Sequence, residues 1–471
     1  MKVTIFLLCC CKVWARHMSW RRAGLSMVHH VVGRAKSVGG ASQYRLGEGA
    51  KSGLPLAMKG GKETFTVLGI ETSCDDTGAA VVRSDGAILG EALASQHEIH
   101  ESYGGVVPGL ARDAHERNLG AVVEAALKQA GMAARDVDAV AVTVGPGLEI
   151  CLRVGAAFAR AFALKYTKPF VAVHHLEAHC LLVRPSLSTA VPAGFLSDDE
   201  TTNQSLVPSL PSVRTQFPFL ALLVSGGHCQ ILFCHAVGNY TVLGGTLDDA
   251  LGEAFDKAAR MLGLRTAGAG GPAIEALALD GDSTAVELPV PMQKRKDCDF
   301  SYAGLKNAFR LAVQKAIITE EPEGGIQALR IEGKAPMLSH QVKADLAASF
   351  QRVAIRHLLD RVDRAIRWCY EQNKTSPAVT SQLPTALAVV GGVAANKAVR
   401  RALQELCETC DPPLPLVAPP ARLCTDNGVM VAWAAIEKLK LGISDEVSGG
   451  DDAVHARWPL GSHMLKDIEW G

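Results

Sequence analysis

His175 and His179 stand four positions apart in the run His174-His175-Leu176-Glu177-Ala178-His179-Cys180. On a helix, side chains at that spacing share one face, so the two imidazoles can hold a single metal ion. The same spacing also fits two ordinary histidines, solvated or at the edge of a core. A metallopeptidase helix needs a glutamate at the second or fourth position of the span, as in HExxH or HxxEH, to act as general base. Here Glu177 sits in the middle and faces away from the histidine pair, which weakens a peptidase reading.

A catalytic ion needs a third ligand. Asp426 lies in Cys424-Thr425-Asp426-Asn427-Gly428, a polar loop ahead of the apolar helix Val429–Ile436. Its alternative role is an N-cap, for which aspartate is well suited. Two imidazoles and one carboxylate with open positions suit one zinc or ferrous ion per subunit better than magnesium, which prefers an all-oxygen shell.

Three glycine-rich turns offer places for an anion. Ser225-Gly226-Gly227-His228 lets the backbone approach a phosphate closely and adds the Ser225 hydroxyl. Gly391-Gly392-Val393-Ala394-Ala395-Asn396 falls between a strand and a helix whose N-terminus can face a nucleotide, and Gly270-Gly271-Pro272 is the third.

These residues need elements to position them. Phe65–Ile70 reads as a buried strand, followed by the polar turn Glu71–Thr77 and a return strand at Ala79–Arg83. The design recurs about 150 residues later: strand Phe219–Val224, the Ser225–His228 turn, and a return strand at Cys229–Phe233. Two such hairpins, each opening half of the chain, predict an internally duplicated α/β protein with two lobes facing one cleft. The second half adds amphipathic helices at Leu247–Leu262, with Thr246 as N-cap, and at Gln341–Glu371, and a buried strand at Thr385–Val390. Pro185–Gln216, rich in Ser, Thr, Pro and Asp, reads as a surface insertion, and Glu320–Pro336 and Asn373–Pro384 as further loops.

A chain of 471 residues suits two domains of roughly 150 to 200 residues each plus extra segments. The expected division is a leader at 1–64, a first lobe at 65–184 with a C-terminal helix at 429–442 packing back on it, the insertion at 185–216, a second lobe at 217–428 and a tail at 443–471. No apolar run reaches the roughly 18 residues of a membrane span. The formal charge is zero, but residues 1–64 hold 11 Lys or Arg against Glu48 and Glu63, leaving 37 basic and 46 acidic residues and a net charge of −9 for the remainder. A nucleic-acid partner must then be met by a local patch, for which Lys294-Arg295-Lys296 and Lys306 are candidates.

The leader, with Arg16, Arg21, Arg22, Arg34 and Arg45 among serines and small apolar residues, has the composition of an organelle transit peptide, for a mitochondrion or a plastid. The rival is a secretory signal built on Val3–Cys11, which Lys12 interrupts at once. The 13 cysteines lack the spacing of a disulfide framework, and the single CxxC at Cys407 and Cys410 has no second pair, so a reducing compartment fits best.

Taken in order, GIETSCDDTGAAVV (69–82), HHLEAH (174–179), LLVSGGH (222–228), GEAFDKAARMLGL (252–264), FSYAGLKNA (300–308), GGVAAN (391–396) and CTDNG (424–428) resemble the tRNA N6-adenosine threonylcarbamoyltransferase family, in its mitochondrial branch. The resemblance runs from about Val67 to Leu460. It implies an actin-like ATPase (ASKHA) fold of two duplicated RNase H-like lobes around a nucleotide and metal cleft, with the ion on His175, His179 and Asp426. It implies a donor pocket of Leu223, Val224, Ser225, Gly226, Gly227, Asp256, Gly271 and Asn396. The implied reaction moves a threonylcarbamoyl group from threonylcarbamoyl-AMP to N6 of adenosine 37, next to the anticodon, in organellar tRNAs that read ANN codons, and AMP leaves. A separate enzyme that makes the adenylate, a homodimer and a matrix location come with it. Asp75 and Asp76, in the first turn, are then candidates for orienting the donor or taking the amine proton, against the alternative of ordinary turn carboxylates. The turn before Gly270-Gly271-Pro272 is longer than the family pattern. Two other readings are a metallopeptidase on HxxxH and a nucleotide-binding regulatory module without catalysis.

Overall fold

The computed structural model describes residues 63–101, 103–184, 188–189, 215–264, 269–320, 338–375, 383–447 and 454–463. The leader up to residue 62, nearly all of the 185–216 insertion and the loop at 321–336 lie outside them.

Two sheets carry the chain. The first holds β1 (Thr66–Glu71), β2 (Asp76–Arg83), β3 (Ala87–Ser95), β4 (Ala139–Gly145), β5 (Phe170–His174) and β6 (Ser188–Thr189), in the order β5-β4-β1-β2-β3-β6. The second holds β7 (Phe219–Val224), β8 (Cys229–Ala236), β9 (Asn239–Gly245), β10 (Leu387–Val390), β11 (Leu416–Val417) and β12 (Ser462–His463), in the order β11-β10-β7-β8-β9-β12. In each, an antiparallel three-strand meander is extended on one side by two parallel strands. Two copies of this RNase H-like order make the actin-like fold.

The continuous apolar runs of β1 and β7 follow from burial on both faces. In β1, Leu68 and Ile70 point to a core shared with the helices Pro108–Gln129 and Glu149–Tyr166, through Leu119, Val123, Ala159 and Phe162. Val67 points to the other face, which is covered by the helix Gly428–Lys440 through Val429, Trp433 and Ile436. In β7, Leu220, Leu222 and Val224 face a core built by the helices Leu251–Met261, Ala303–Glu320, His340–Thr375 and Lys397–Glu408.

The Gly428–Lys440 helix crosses the first sheet backbone to backbone. A Cβ on Gly69 would strike Gly428 O and Ala432 N, and one on Gly428 would lie 2.6 Å from Ala79 Cα and still closer to Ala79 C and Ala80 N. Only glycine at both positions permits this approach, and the approach fixes the loop just ahead of the helix.

The short helix His175–Leu181 is apolar on two sides. Ala178, Leu181 and Leu182 join the core beneath the Gly428–Lys440 helix, while Leu176, Cys180 and Val183 join Phe219, Ala221 and Leu223 on the second sheet. Wedged between the two sheets, it carries the histidine pair on one polar face and Glu177 on the other.

Some boundaries differ from expectation. The first long helix of the second half begins at Leu251, with Ala250 at its N-cap position and no side-chain cap. Thr246 is taken by a bridge to Phe300, and its Oγ1 donates to Asp249 O at 2.9 Å, so residues 247–249 bend ahead of the helix and leave Leu247 exposed. The return strand β2 begins at Asp76, three residues before the expected Ala79, because Asp76 already pairs with Ser95.

Candidate metal and nucleotide site

The His175–Leu181 helix starts where β5 ends. His174 caps it: Nδ1 accepts from Leu176 N at 3.2 Å, and Nε2–H donates to Trp458 O at 3.0 Å. Burial keeps that ring neutral, with its pKa pushed down to about 3.

One turn along, the His175 and His179 rings meet edge to face with centroids 4.8 Å apart. Asp426 arrives from the loop ahead of the Gly428–Lys440 helix, its Oδ1 3.1 Å from His179 Nε2 and 3.6 Å from His175 Nε2. The three ligand atoms lie within 4.8 Å of one another. A tetrahedral zinc site with bonds near 2.1 Å separates its ligands by about 3.4 Å, so the two shorter edges suit a shared ion.

The choice between cap and ligand at Asp426 is made by its neighbour. Asn427 takes the cap, accepting from Met430 N at 3.0 Å while its Nδ2 donates to Leu423 O and Thr425 O. Asp426 is thereby free to face the histidines. Burial alone would raise its pKa, but His175 and His179 outweigh that and hold it well below the usual carboxylate range. At His175 burial disfavours the charged ring, yet Asp426 and Glu71 lift its pKa to about 9.

Around this cluster lie three groups that sequence reasoning passed over. Glu71, expected as part of a polar turn, is the last residue of β1 and almost fully buried. His115, on the Pro108–Gln129 helix, accepts from Thr77 Oγ1 at Nδ1 (2.8 Å) and donates from Nε2 to Cys74 O (3.0 Å), bracing the turn that carries Asp75 and Asp76. His228 stands close enough to His175 and His179 for their charge, after burial, to help press its pKa down to about 4. Only Glu71 left a sequence signal, an acid at the end of an apolar strand.

Asp75 is partly exposed and lies 3.7 Å from His97 Nδ1. Asp76 is buried; burial, with Asp75 and Asp426 nearby, raises its pKa to about 6. Its Oδ1 has no hydrogen-bond partner among the described residues. A buried carboxylate oxygen without a partner, near three side chains spaced to hold a metal ion, fits a site that takes a further ligand.

On the opposite sheet, Leu223 and Val224 end β7 and are buried. The turn after them is held by the helix start behind it: Gly252 N donates to Ser225 O at 3.1 Å, and Ser225 Oγ accepts from His228 N at 3.1 Å, which leaves its hydroxyl hydrogen to donate. Asp256 Oδ1 accepts from Gly270 N at 2.6 Å and so pins the start of the Gly270–Ala278 helix. The space where a Cβ would stand is open at Gly226, Gly227 and Gly271. Asn396 is engaged, its Oδ1 capping the Lys397–Glu408 helix at Val399 N (2.9 Å) and its Nδ2 donating to Gln351 Oε1 (3.2 Å).

Two other sequence expectations acquire partners. Glu177 is buried on the far side of the metal helix, accepting from Gly238 N at 2.8 Å and Tyr240 Oη at 2.9 Å, with Lys438 Nζ 3.6 Å away. It is a structural link and stands apart from the histidine pair. Lys306 is held by Asp249 at 2.5 Å and Arg295 by Asp297 at 2.6 Å, whereas Lys294 and Lys296 are exposed.

Comparison with known proteins gives one consistent result. A family model described as tRNA N6-adenosine threonylcarbamoyltransferase matches residues 87–198 and 200–433. An Arabidopsis thaliana protein named probable mitochondrial tRNA N6-adenosine threonylcarbamoyltransferase is 44% identical over 415 residues, 86% of this chain and 76% of that one. A Gluconobacter oxydans protein of that name without the organelle is 43% identical over 400 residues, 84% and 94% of the two chains. A Xenopus tropicalis protein named as mitochondrial is 42% identical over 385 residues, 80% and 83%.

Proposed function

Because the chain belongs to the tRNA N6-adenosine threonylcarbamoyltransferase family, and is a transferase, we propose that it moves a threonylcarbamoyl group from threonylcarbamoyl-AMP to N6 of adenosine 37 in organellar tRNAs that read ANN codons. The observation that carries this reading is the convergence of His175, His179 and Asp426 near His228, the residue that closes the open glycine turn.

In the proposed reaction the N6 amine attacks the carbamoyl carbon, the bond from that carbon to the phosphate oxygen breaks, and AMP leaves. Amides of Gly226 and Gly227 hold the phosphate, with the Ser225 hydroxyl as a further donor, since the Ser225 amide is spent on His228 O at 2.8 Å. Gly271 gives the adenylate room, Asp256 and Asn396 fix the helix starts beside it, and Leu223 and Val224 set the height of the turn. Asp76 takes the amine proton, since a base with a pKa near 6 is ionised at neutral pH yet basic enough to accept it, and Asp75 orients the donor. His175, His179 and Asp426 hold one zinc or ferrous ion, which when bound polarises and orients the donor.

The lobe boundaries at 65–184 with 429–442, and at 217–428, belong to this reading and are supported by the separate cores on the two sheets. So do a mitochondrial matrix location, supported by the organelle in the relatives' names, and a separate enzyme that supplies the adenylate. A homodimer belongs to this reading as well. No helix of the described residues is long and apolar enough to cross a membrane.

The test supplies the full chain with threonylcarbamoyl-AMP labelled in threonine and with unmodified tRNA, beside a His175→Ala/His179→Ala variant. Label in tRNA with the parent alone is expected. A folded, metal-loaded parent that leaves the tRNA unlabelled overturns the reading.

A further inference from the structure

Glu71 lies outside the set of ligands, yet it is the most deeply buried acid at this site, about 1% exposed. Three parallel strands end side by side here: β1 at Glu71, β4 just past Thr143 and β5 at His174. Their ends bring Thr143 Oγ1 to 2.5 Å from Glu71 Oε2 and His175 Nδ1 to 3.4 Å from the same oxygen. Oε1 accepts from Ser73 N at 2.6 Å. Ser73 Oγ approaches His175 Nδ1 at 3.3 Å, so the ring's inner nitrogen faces two acceptors at once.

An ionised carboxylate in such a place costs several kcal/mol unless positive charge answers it. The Ser73 amide and the Thr143 hydroxyl are neutral. Among the described ion pairs, the only partner of Glu71 is His175, and beyond that ring lies the place where Asp426 and His179 converge.

We propose that Glu71 is a positioning residue for the metal. It takes the Nδ1 hydrogen of His175, which turns the Nε2 lone pair toward Asp426 and His179, and it adds a negative charge behind the ligating ring. With both histidines neutral as ligands, Asp426 supplies one negative charge and Glu71, behind His175, a second. A carboxylate behind a ligating imidazole also raises the basicity of the ligand nitrogen, and loss of such a partner typically weakens metal binding about 10- to 100-fold. The inference rests on the proposed metal reading of His175, His179 and Asp426.

The test measures zinc affinity of the chelator-stripped full chain by competition with a chromophoric chelator, in the parent, Glu71→Gln, Thr143→Val and His175→Ala/His179→Ala. Glutamine keeps the shape and one acceptor but removes the charge. Its zinc dissociation constant is expected to rise about 10- to 100-fold, while the far-ultraviolet circular dichroism of the metal-free protein stays that of the parent. Thr143→Val, which only unseats Oε2, is expected to weaken zinc in the same direction by about 5-fold, and it carries the test if Glu71→Gln does not fold. Equal zinc affinity in the parent and a folded Glu71→Gln overturns the role of Glu71 and leaves the ligand set standing. A parent that binds no zinc, or a double-histidine variant that binds as the parent does, overturns the metal reading and the role of Glu71 with it.

Discussion

Gly428→Ala places a methyl group where the Gly428–Lys440 helix touches β2. The new Cβ would lie 2.6 Å from Ala79 Cα and nearer still to Ala79 C and Ala80 N, where ordinary contact begins at 3.4 Å. Strand backbone does not yield, so the helix must retreat by roughly 1 Å, at an overpacking cost of about 1 to 3 kcal/mol. Asn427 ties Leu423, Thr425 and Met430 into one unit, and the retreat therefore carries Asp426 away from His179, which it now meets at 3.1 Å. A displacement of that size at a reacting centre can cost about 10²-fold, so threonine transfer should fall by about that much and zinc affinity with it. The control is Gly120→Ala, inside the Pro108–Gln129 helix with open space around it, which should stabilise the chain by up to about 1 kcal/mol. Thermal unfolding, zinc competition and threonine transfer are read on both variants. If Gly428→Ala unfolds no earlier than the parent and binds zinc as tightly, the close helix–sheet crossing does not set the position of Asp426.

Asp76 gives a pH test: its pKa is raised to about 6, and only the ionised form accepts a proton, so kcat/KM should fall as pH drops below about 6. Asp76→Asn should be slower by about 10²- to 10⁴-fold and lose that limb; the same limb in the variant would assign it to another group. Glu177→Gln breaks a buried link to Gly238, Tyr240 and Lys438 and should lower stability by about 1 to 3 kcal/mol while threonine transfer stays within a few-fold. Lost transfer at unchanged stability would return Glu177 to the chemistry. Lys294→Ala/Lys296→Ala removes two exposed cations and should weaken tRNA binding and flatten its salt dependence by about one to two units of slope, measured by filter binding across a salt series. An unchanged slope would move the tRNA surface elsewhere.

Local pattern in the sequence carries a good part of this protein. Apolar runs that must be buried on both faces give β1 and β7, and their repeated hairpins give the duplication. The four-residue spacing of His175 and His179 gives a shared helix face, and the off-centre Glu177 weakens the peptidase reading. The order of the motifs adds the family and with it Asp426 as the expected third ligand. Whatever depends on distant partners was decided only by tertiary structure. Asp426 and Asn427 are equally good caps by residue type, and the division of labour between them follows from a helix pressed onto glycine-bearing strands and from a histidine pair whose nearer member, His179, is 247 residues away in the chain. Thr246 looks like a helix cap until Phe300 pairs with it. Lys306 looks like a free cation until Asp249 meets it. Glu71 looks like a turn residue, and its environment is made by Thr143 and by His175, 104 residues on. Spacing along a chain fixes which side chains share a face, and only packing fixes what that face meets.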